Sequence, residues 1–259
     1  MEKIKFCYPV NISISIVSHL QINLVAKLLE DIDEHCRELN FELILTLNLD
    51  EKLPFALNNF SYPIKLVRNA TPMGFGANHN QAFAHAEGKY FCVMNPDIRF
   101  ASNPFNILLK CLENPLVGVT APLVLGENGE IEDSARRFPS PLKIMYKAFG
   151  KGKEPDYAIK AAPVCPDWVG GMFMLFPRTI FERLHGFDER YFLYYEDVDI
   201  CGRLRLLSHD VMICPQAKVT HHAQRSSHRS FKYLRWHLKS LMRFFFSSVY
   251  WRLCFRPRL

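Results

Sequence analysis

The strongest constraint on this chain is an alternation that runs through residues 11–97. Strand-like apolar runs break off abruptly and give way to segments with helical spacing. Asn11–Val17 (NISISIV) stops at Ser18-His19, and Leu24, Leu28, Leu29, Ile32 and Cys36 then recur at intervals of three or four. Phe41–Leu47 (FELILTL) reads as a second strand and Ile64–Val67 as a short third. A Gly-rich turn from Pro72 opens a helix that stops at Gly88, and the buried strand Tyr90–Met94 (YFCVM) runs straight into Asn95-Pro96-Asp97. Strands alternating with helices predict an α/β fold with a mainly parallel, Rossmann-like sheet flanked by helices. Its site should lie at the carboxyl ends of the strands.

Length and composition agree with one large domain plus an appendage. The 259 residues are 49% hydrophobic and 22% charged, enough for an unstapled core and unlike a disordered or collagenous chain. The eight cysteines are scattered without a C-x-x-C pair, which argues against a zinc cage or a disulfide framework and for a reducing compartment. The N-terminus holds no apolar run of signal-peptide length, and no long uncharged apolar stretch follows. The expectation is a cytoplasmic protein. A loop is expected over residues 149–166, where Gly, Pro and Lys cluster.

Charge is unevenly placed. Asp210 is the last acid, and residues 211–259 hold ten Lys/Arg. Because the whole chain carries only +6, residues 1–210 are net acidic. From Phe231 the apolar residues Leu234, Leu238, Leu241, Met242 and Phe245 recur at helical spacing, with Lys232, Arg235, Lys239 and Arg243 largely between them. An apolar stripe flanked by cations predicts a basic amphipathic C-terminal helix lying on an anionic membrane surface; packing on the domain is the alternative. The division expected is therefore 1–225 and 226–259. Nucleic acid is not expected as a partner, since no nucleic-acid fold precedes the basic tail.

Several short patterns suggest chemistry. Gly74-Phe75-Gly76-Ala77-Asn78-His79 lacks the third glycine of a dinucleotide fingerprint and follows the third strand, so a nicotinamide site is rejected. Such a turn can still bring backbone close to a phosphate or sugar. Asp97, at a strand end, can hold a divalent cation against a diphosphate, or simply cap a turn. Glu196-Asp197-Val198-Asp199 follows the aromatic run Tyr191–Tyr195. Apolar surroundings raise a carboxylate toward general-base values, so Glu196 or Asp197 suits that role while Asp199 suits capping. His221-His222 follows a short strand-like run, and one of the pair is a candidate partner for Asp97. Gly170-Gly171 allows close approach of a substrate, or a bulge.

In order, Ser15–His19 (SIVSH), GFGANHNQA at 74–82, MNPD at 94–97, DWVGGMFMLFPR at 167–178 and the long segment 186–222 resemble glycosyltransferase family 2. These are inverting transferases of GT-A fold that use nucleotide-sugar donors. Ser134–Pro139 and Arg235-Trp236-His237 are similar to segments of the rhamnosyltransferases of lipopolysaccharide O-antigen assembly. The resemblance implies Mg²⁺ or Mn²⁺ held by Asp97 and His221 against the donor diphosphate, with Asp197 as the base. It also implies that Ser18, Asn48 and the turn bearing Gly74, Gly76, Asn78 and Asn80 hold the nucleotide, with Gly171 beside the donor and Arg136 as a counter-charge. One departure is that Leu47-Asn48 stands where the family usually has an acid, so Asn48 would recognise the base by hydrogen bonding. The implied substrates are a nucleotide-sugar donor, first thymidine-diphosphate rhamnose, and a polyprenyl-diphosphate-linked saccharide. The enzyme would sit peripherally on the inner face of the cell membrane. A catalytically silent module that binds nucleotide sugars or membranes is the alternative.

Overall fold

A computed structural model describes residues 10–149, 154–222 and 231–255. The expected boundary at 225–226, part of the expected loop at 149–166, and the tail cations Arg225, Arg229, Arg256 and Arg258 lie outside the described residues.

The alternation read from the sequence is present. Strand β1 (Ile12–Ser18) is followed by α1 (Ile22–His35), β2 (Phe41–Leu47), β3 (Ile64–Arg68), α2 (Phe75–Ala84) and β4 (Tyr90–Met94). In β1 the side chains alternate between faces. Ile12, Ile14 and Ile16 pack with Val25, Leu28, Leu29 and Ile32 of α1 in one core. Ser13 and Ser15 point the other way, where the Ser15 hydroxyl meets Nδ1 of buried His79 on α2 at 2.8 Å.

The chain continues through β5 (Ile98–Arg99), α3 (Phe105–Cys111), β6 (Val117–Leu125), β7 (Ala135–Arg136), α4 (Pro141–Ala148), β8 (Trp168–Val169), β9 (Phe173–Pro177), α5 (Arg178–Arg183), α6 (Glu196–Leu206), β10 (Asp210–His221), α7 (Phe231–Phe245) and α8 (Ser248–Cys254). The main sheet has the order β3-β2-β1-β4-β9-β6-β10-β5, and β7 pairs with β8 in a separate ribbon. Pairing is parallel from β3 to β4 and between β6 and β10. By contrast, β9 is antiparallel to both of its neighbours, which makes the sheet mixed at its centre. Helices α1 and α3 cover one face, and α2, α5 and α6 cover the other.

Cys111 of α3 and Cys214 of β10 face each other, sulfur toward sulfur, whereas Cys36, Cys92, Cys165, Cys201 and Cys254 have no cysteine so placed. The proximity follows from the packing of α3 on β10, which brings together residues 103 apart in sequence.

Gly88 marks the tightest approach between β1 and its neighbour. Its amide donates to the Ser13 hydroxyl at 2.8 Å, and a Cβ there would lie 2.5 Å from the Ser13 nitrogen. Backbone cannot retreat as a flexible side chain does. Gly88→Ala is therefore expected to destabilise the fold by about 1–3 kcal/mol, read as a lower midpoint in urea at unchanged slope.

Candidate active site

The carboxyl end of β4 opens, through Asn95, toward a cleft of about 420 Å³. Its walls include Asn95, Arg136, Gly171, Tyr195, Glu196, Asp197 and His221. Five residues singled out from the sequence (Arg136, Gly171, Glu196, Asp197 and His221) thus share one cavity, although they are spread over 86 positions.

Asp197 sits in the first turn of α6. Its Oδ2 accepts the Gly171 amide at 3.1 Å, and its Oδ1 accepts the Val198 amide at 2.8 Å. Gly171 can come this close because it has no side chain; a Cβ would fall 3.3 Å from the Phe75 ring. Burial raises the Asp197 pKa, opposed by these two amides and by the Arg136 charge. Glu196 is different. Burial, reinforced by the charge of Asp197, pushes its carboxyl well above the usual range. One of its oxygens is buried without a partner, which suits a neutral acid rather than a base. Asp133, the remaining carboxylate in the cleft wall, is ion-paired with Arg136 at 3.0 Å.

The second group is assembled by strand register. β5 runs antiparallel to the end of β10 with Ile98 opposite His221, and the His222 amide donates to the Asp97 carbonyl at 2.8 Å. This places His221 Nε2 3.3 Å from Asp97 Oδ2. The other oxygen, Asp97 Oδ1, is buried and has no hydrogen-bond partner. His221 Nδ1 meets Glu132 Oε2 at 2.9 Å. Burial opposes protonation of His221, but Asp97 and Glu132 outweigh it and raise its pKa to about 9. An orphaned carboxylate oxygen beside an imidazole nitrogen fits a hard divalent cation. Among the described residues no group of three or more His, Cys, Asp or Glu side chains is arranged to hold a metal by itself. Two protein donors would leave the remaining positions to diphosphate and water, the usual arrangement for Mg²⁺.

Glu132 was not apparent from the sequence. It follows the turn after β6 that is closed by Gly126 and Glu130 and carried by Gly129 at φ +80°, and its amide donates back to the Val124 carbonyl at 3.0 Å. Its partner is 89 residues away, so only the fold brings the two together.

The expected nucleotide-holding side chains are placed differently. Asn48 is buried, and its carboxamide bonds the Met73 backbone at both ends, Asn69 and His19. Asn78 is buried and bonds Asn69, Met73 and Gly74. Asn80 ties α2 to Phe187 and Glu189. A Cβ on Gly76 would strike Phe187, and one on Gly74 would strike the Phe192 carbonyl. Ser18 donates to Glu51, which also accepts the Leu20 and Ile22 amides at the start of α1. The acid missing at Leu47-Asn48 thus reappears at Glu51, engaged in capping a helix. These residues build the floor beside the cleft, and none of their side chains lines it.

The C-terminal helix completes the wall. His237 of α7 lines the cleft and packs on Tyr194 and Tyr195, with ring centroids 5.4 and 5.5 Å away. Trp236 lies on Phe192 at 4.8 Å, and Ser240 donates to the Leu193 carbonyl at 2.9 Å.

A mixed sheet between helical layers, with carboxylates in a cleft beside its strand ends, is the arrangement of a GT-A glycosyltransferase. The model of the family described as glycosyl transferase family 2 matches residues 13–212, and the chain belongs to that family. Rhamnosyltransferase WbbL of Escherichia coli K12 is 32% identical over 247 residues, covering 89% of this chain and 91% of that protein. The N-acetylglucosaminyl-diphospho-decaprenol L-rhamnosyltransferase of Mycobacterium tuberculosis is 29% identical over 190 residues, covering 65% of this chain and 62% of that protein. Among solved structures, GalNAc-T7 with UDP, GalNAc and Mn²⁺ superposes with a TM-score of 0.65 at 15% identity. That superposition covers 84% of this chain but only 44% of GalNAc-T7, so the likeness is one of fold.

The Glu132–His221 contact generates a test. Glu132→Ala is expected to weaken Mn²⁺ binding about 10–100-fold, measured by titration of the free-ion paramagnetic signal with a nucleoside diphosphate present. Glu132→Gln, which still offers an oxygen to His221 Nδ1–H, should lose less. Unchanged affinity in Glu132→Ala would mean that His221 is oriented by something else.

Proposed function

We propose that this glycosyltransferase moves a sugar, first of all L-rhamnose from thymidine-diphosphate rhamnose, to a polyprenyl-diphosphate-linked saccharide in cell-surface polysaccharide synthesis. Transfer inverts the anomeric centre. The observation that carries the reading is the division of labour among the cleft's carboxylates. Asp133 is engaged by Arg136 and Glu196 is suited to the neutral form, which leaves Asp197 as the base. A single displacement needs one base and a counter-charge on the departing diphosphate, and no second nucleophile.

Asp197, steadied by the Gly171 and Val198 amides, takes the proton from the acceptor hydroxyl as that oxygen bonds to the anomeric carbon. The bond from that carbon to the diphosphate oxygen breaks, and the electron pair leaves with the nucleoside diphosphate. Arg136 faces that developing charge, and Asp97 with His221 would hold Mg²⁺ or Mn²⁺. Such a cation supplies electrostatic stabilisation of the leaving group. The Gly74–Asn80 turn, Ser18 and Asn48 act on the nucleotide through the backbone they position.

Rhamnose as the sugar rests on two relatives named for rhamnosyl transfer, and a lipid-linked acceptor on the decaprenol of the second name. Peripheral attachment at the inner membrane face is supported by α7. It docks through Trp236, Ser240 and Phe244, with Leu241 and Phe245 of the expected stripe half-buried, while its other members, Phe231, Leu234, Leu238 and Met242, are exposed. Among the described residues no helix is long and apolar enough to cross a membrane.

The direct test is a panel of nucleotide sugars offered with polyprenyl-diphosphate acceptors, with divalent metal or with chelator. Metal-dependent rhamnosyl transfer giving an inverted linkage is expected. Full activity in chelator would defeat the metal site and leave Arg136 as the main counter-charge.

Asp197→Asn should lower kcat by roughly 10²-fold or more with donor binding little changed. Because burial raises Asp197 above its ordinary 3.8, the working carboxylate is lost as pH falls. The acid limb of kcat/KM should therefore inflect above that value and be absent from the residual activity of Asp197→Asn. Near-normal turnover in this variant would remove Asp197 from the base role.

A further inference from the structure

Helix α4 begins two residues after Pro139 of the cleft wall, and its own Lys143 and Ile144 line the cleft. Its start is set by Ser140, whose hydroxyl accepts the Lys143 amide at 3.2 Å while its carbonyl accepts that of Ile144 at 3.0 Å. On the outer side, Leu142, Met145, Tyr146 and Phe149 fall at helical spacing and form one face. They are 74%, 53%, 56% and 76% exposed. Four large apolar side chains this open, on one short element, mark a surface that something covers.

Two further observations say what covers it. Residues 134–153 hold six Lys/Arg and no acid, with Arg136 and Lys143 paired to Asp133 and Asp156 from outside the segment. The segment keeps an excess of cations, which opposes a second copy docking face to face, whereas an anionic lipid surface complements both that excess and the apolar side chains. The root of α4 also meets the C-terminal helices. Around Gly202, Phe138 converges with Val249 and Leu253 of α8, and α8 and the residue after it expose Trp251 and Phe255.

We infer that α4 is a second membrane-contacting element, which inserts Leu142, Met145, Tyr146 and Phe149 into an anionic leaflet beside the acceptor side of the cleft. The inference rests on the surface-bound transferase proposed above and adds an element outside the tail. With contacts at both α4 and α7–α8, the cleft faces the interface in one orientation, and a lipid-linked acceptor enters without leaving the bilayer.

The test uses the full chain and vesicles of phosphatidylcholine with or without one third phosphatidylglycerol. Leu142→Asp/Phe149→Asp should lower cosedimentation with anionic vesicles at least roughly tenfold while nucleoside-diphosphate binding is retained. Leu238→Asp/Met242→Asp on α7 tests the tail in parallel. If the α4 variant binds vesicles like the parent while the α7 variant does not, the α4 inference falls and the tail reading stands. If both bind like the parent, both fall. Conversion of a dimeric parent to monomer by the α4 substitutions, with vesicle binding intact, would make this face a self-interface and also overturn the inference. Phe149→Trp supplies a measurement free of added charge: its difference emission should shift to the blue with anionic vesicles, and no shift would sink the idea.

Discussion

The position of Asp197 depends on a backbone conformation that tyrosine disfavours. Tyr194 and Tyr195 both have φ of 69°, immediately before α6 begins. The left-handed region costs a non-glycine residue of order 1–3 kcal/mol, so the pair persists only because its surroundings over-determine it. On one side α7 supplies His237 against both rings, Phe244 against Tyr195 and Ser240 on the Leu193 carbonyl. Each aromatic pair adds about 0.5–1.5 kcal/mol beyond its burial, comparable in sum with the strain. On the other side the Phe75 amide donates to the Phe192 carbonyl at 2.9 Å, with Gly74 so close that a Cβ would lie 2.7 Å from that oxygen. The loop that leads into Asp197, the proposed base, is thus gripped between the start of α2 and the C-terminal helix. That makes α7 part of the frame of the cleft as well as the bearer of exposed apolar side chains.

Arg136 and Asp197, the proposed counter-charge and base, are coupled through the small β7–β8 ribbon. Arg136 pairs with Trp168 across it, and the Gly170 amide donates to the Ser134 carbonyl. The next residue, Gly171, holds Asp197. One short ribbon therefore sets both the guanidinium and the amide that steadies the carboxylate, and a shift in its register would move both together. The Asp97–His221 pair depends on a different element, the β5–β10 pairing at the sheet edge. Two rigid supports converging on one cleft suit a reaction that stabilises charge at the leaving group while removing a proton from the acceptor.

Much of the sheet was legible in the sequence. NISISIV, FELILTL and YFCVM are β-branched or apolar runs closed by polar turns, and β1, β2 and β4 begin and end within a residue of them. The placement of Asp97, Asp197 and His221 was legible because each lies beside a strand end or helix start that a local pattern announces; their roles are those proposed above. What could not be read depends on distant partners. Glu132 has no local signal, and Cys111 and Cys214, which face each other, are 103 residues apart in sequence. Asn48 and Asn78 look like ligands in a polar motif, yet both are buried, with their amides joined through Asn69. Spacing does not distinguish an asparagine that holds a turn from one that faces a nucleotide. The left-handed tyrosines were invisible for a related reason, since nothing in tyrosine favours that conformation.

The charge distribution follows the same division between body and surface elements. The chain's net +6 comes entirely from segments 134–153 and 211–259, which together hold sixteen Lys/Arg and no acid. The remainder carries all 26 acidic residues and is repelled by an anionic leaflet. Those same two segments expose the large apolar side chains of α4, α7 and α8. A body of one sign with two feet of the other experiences a torque as well as an attraction near a charged plane. The torque acts only within a Debye length, about 8 Å at physiological salt, so it operates as the protein arrives, before apolar contacts form. In the surface-bound state proposed above, orientation is set by the cations and retained by the apolar side chains. Because Lys143 and Ile144 of α4 and His237 of α7 line the cleft, the two elements proposed to meet the lipid also frame the cleft that holds Asp197.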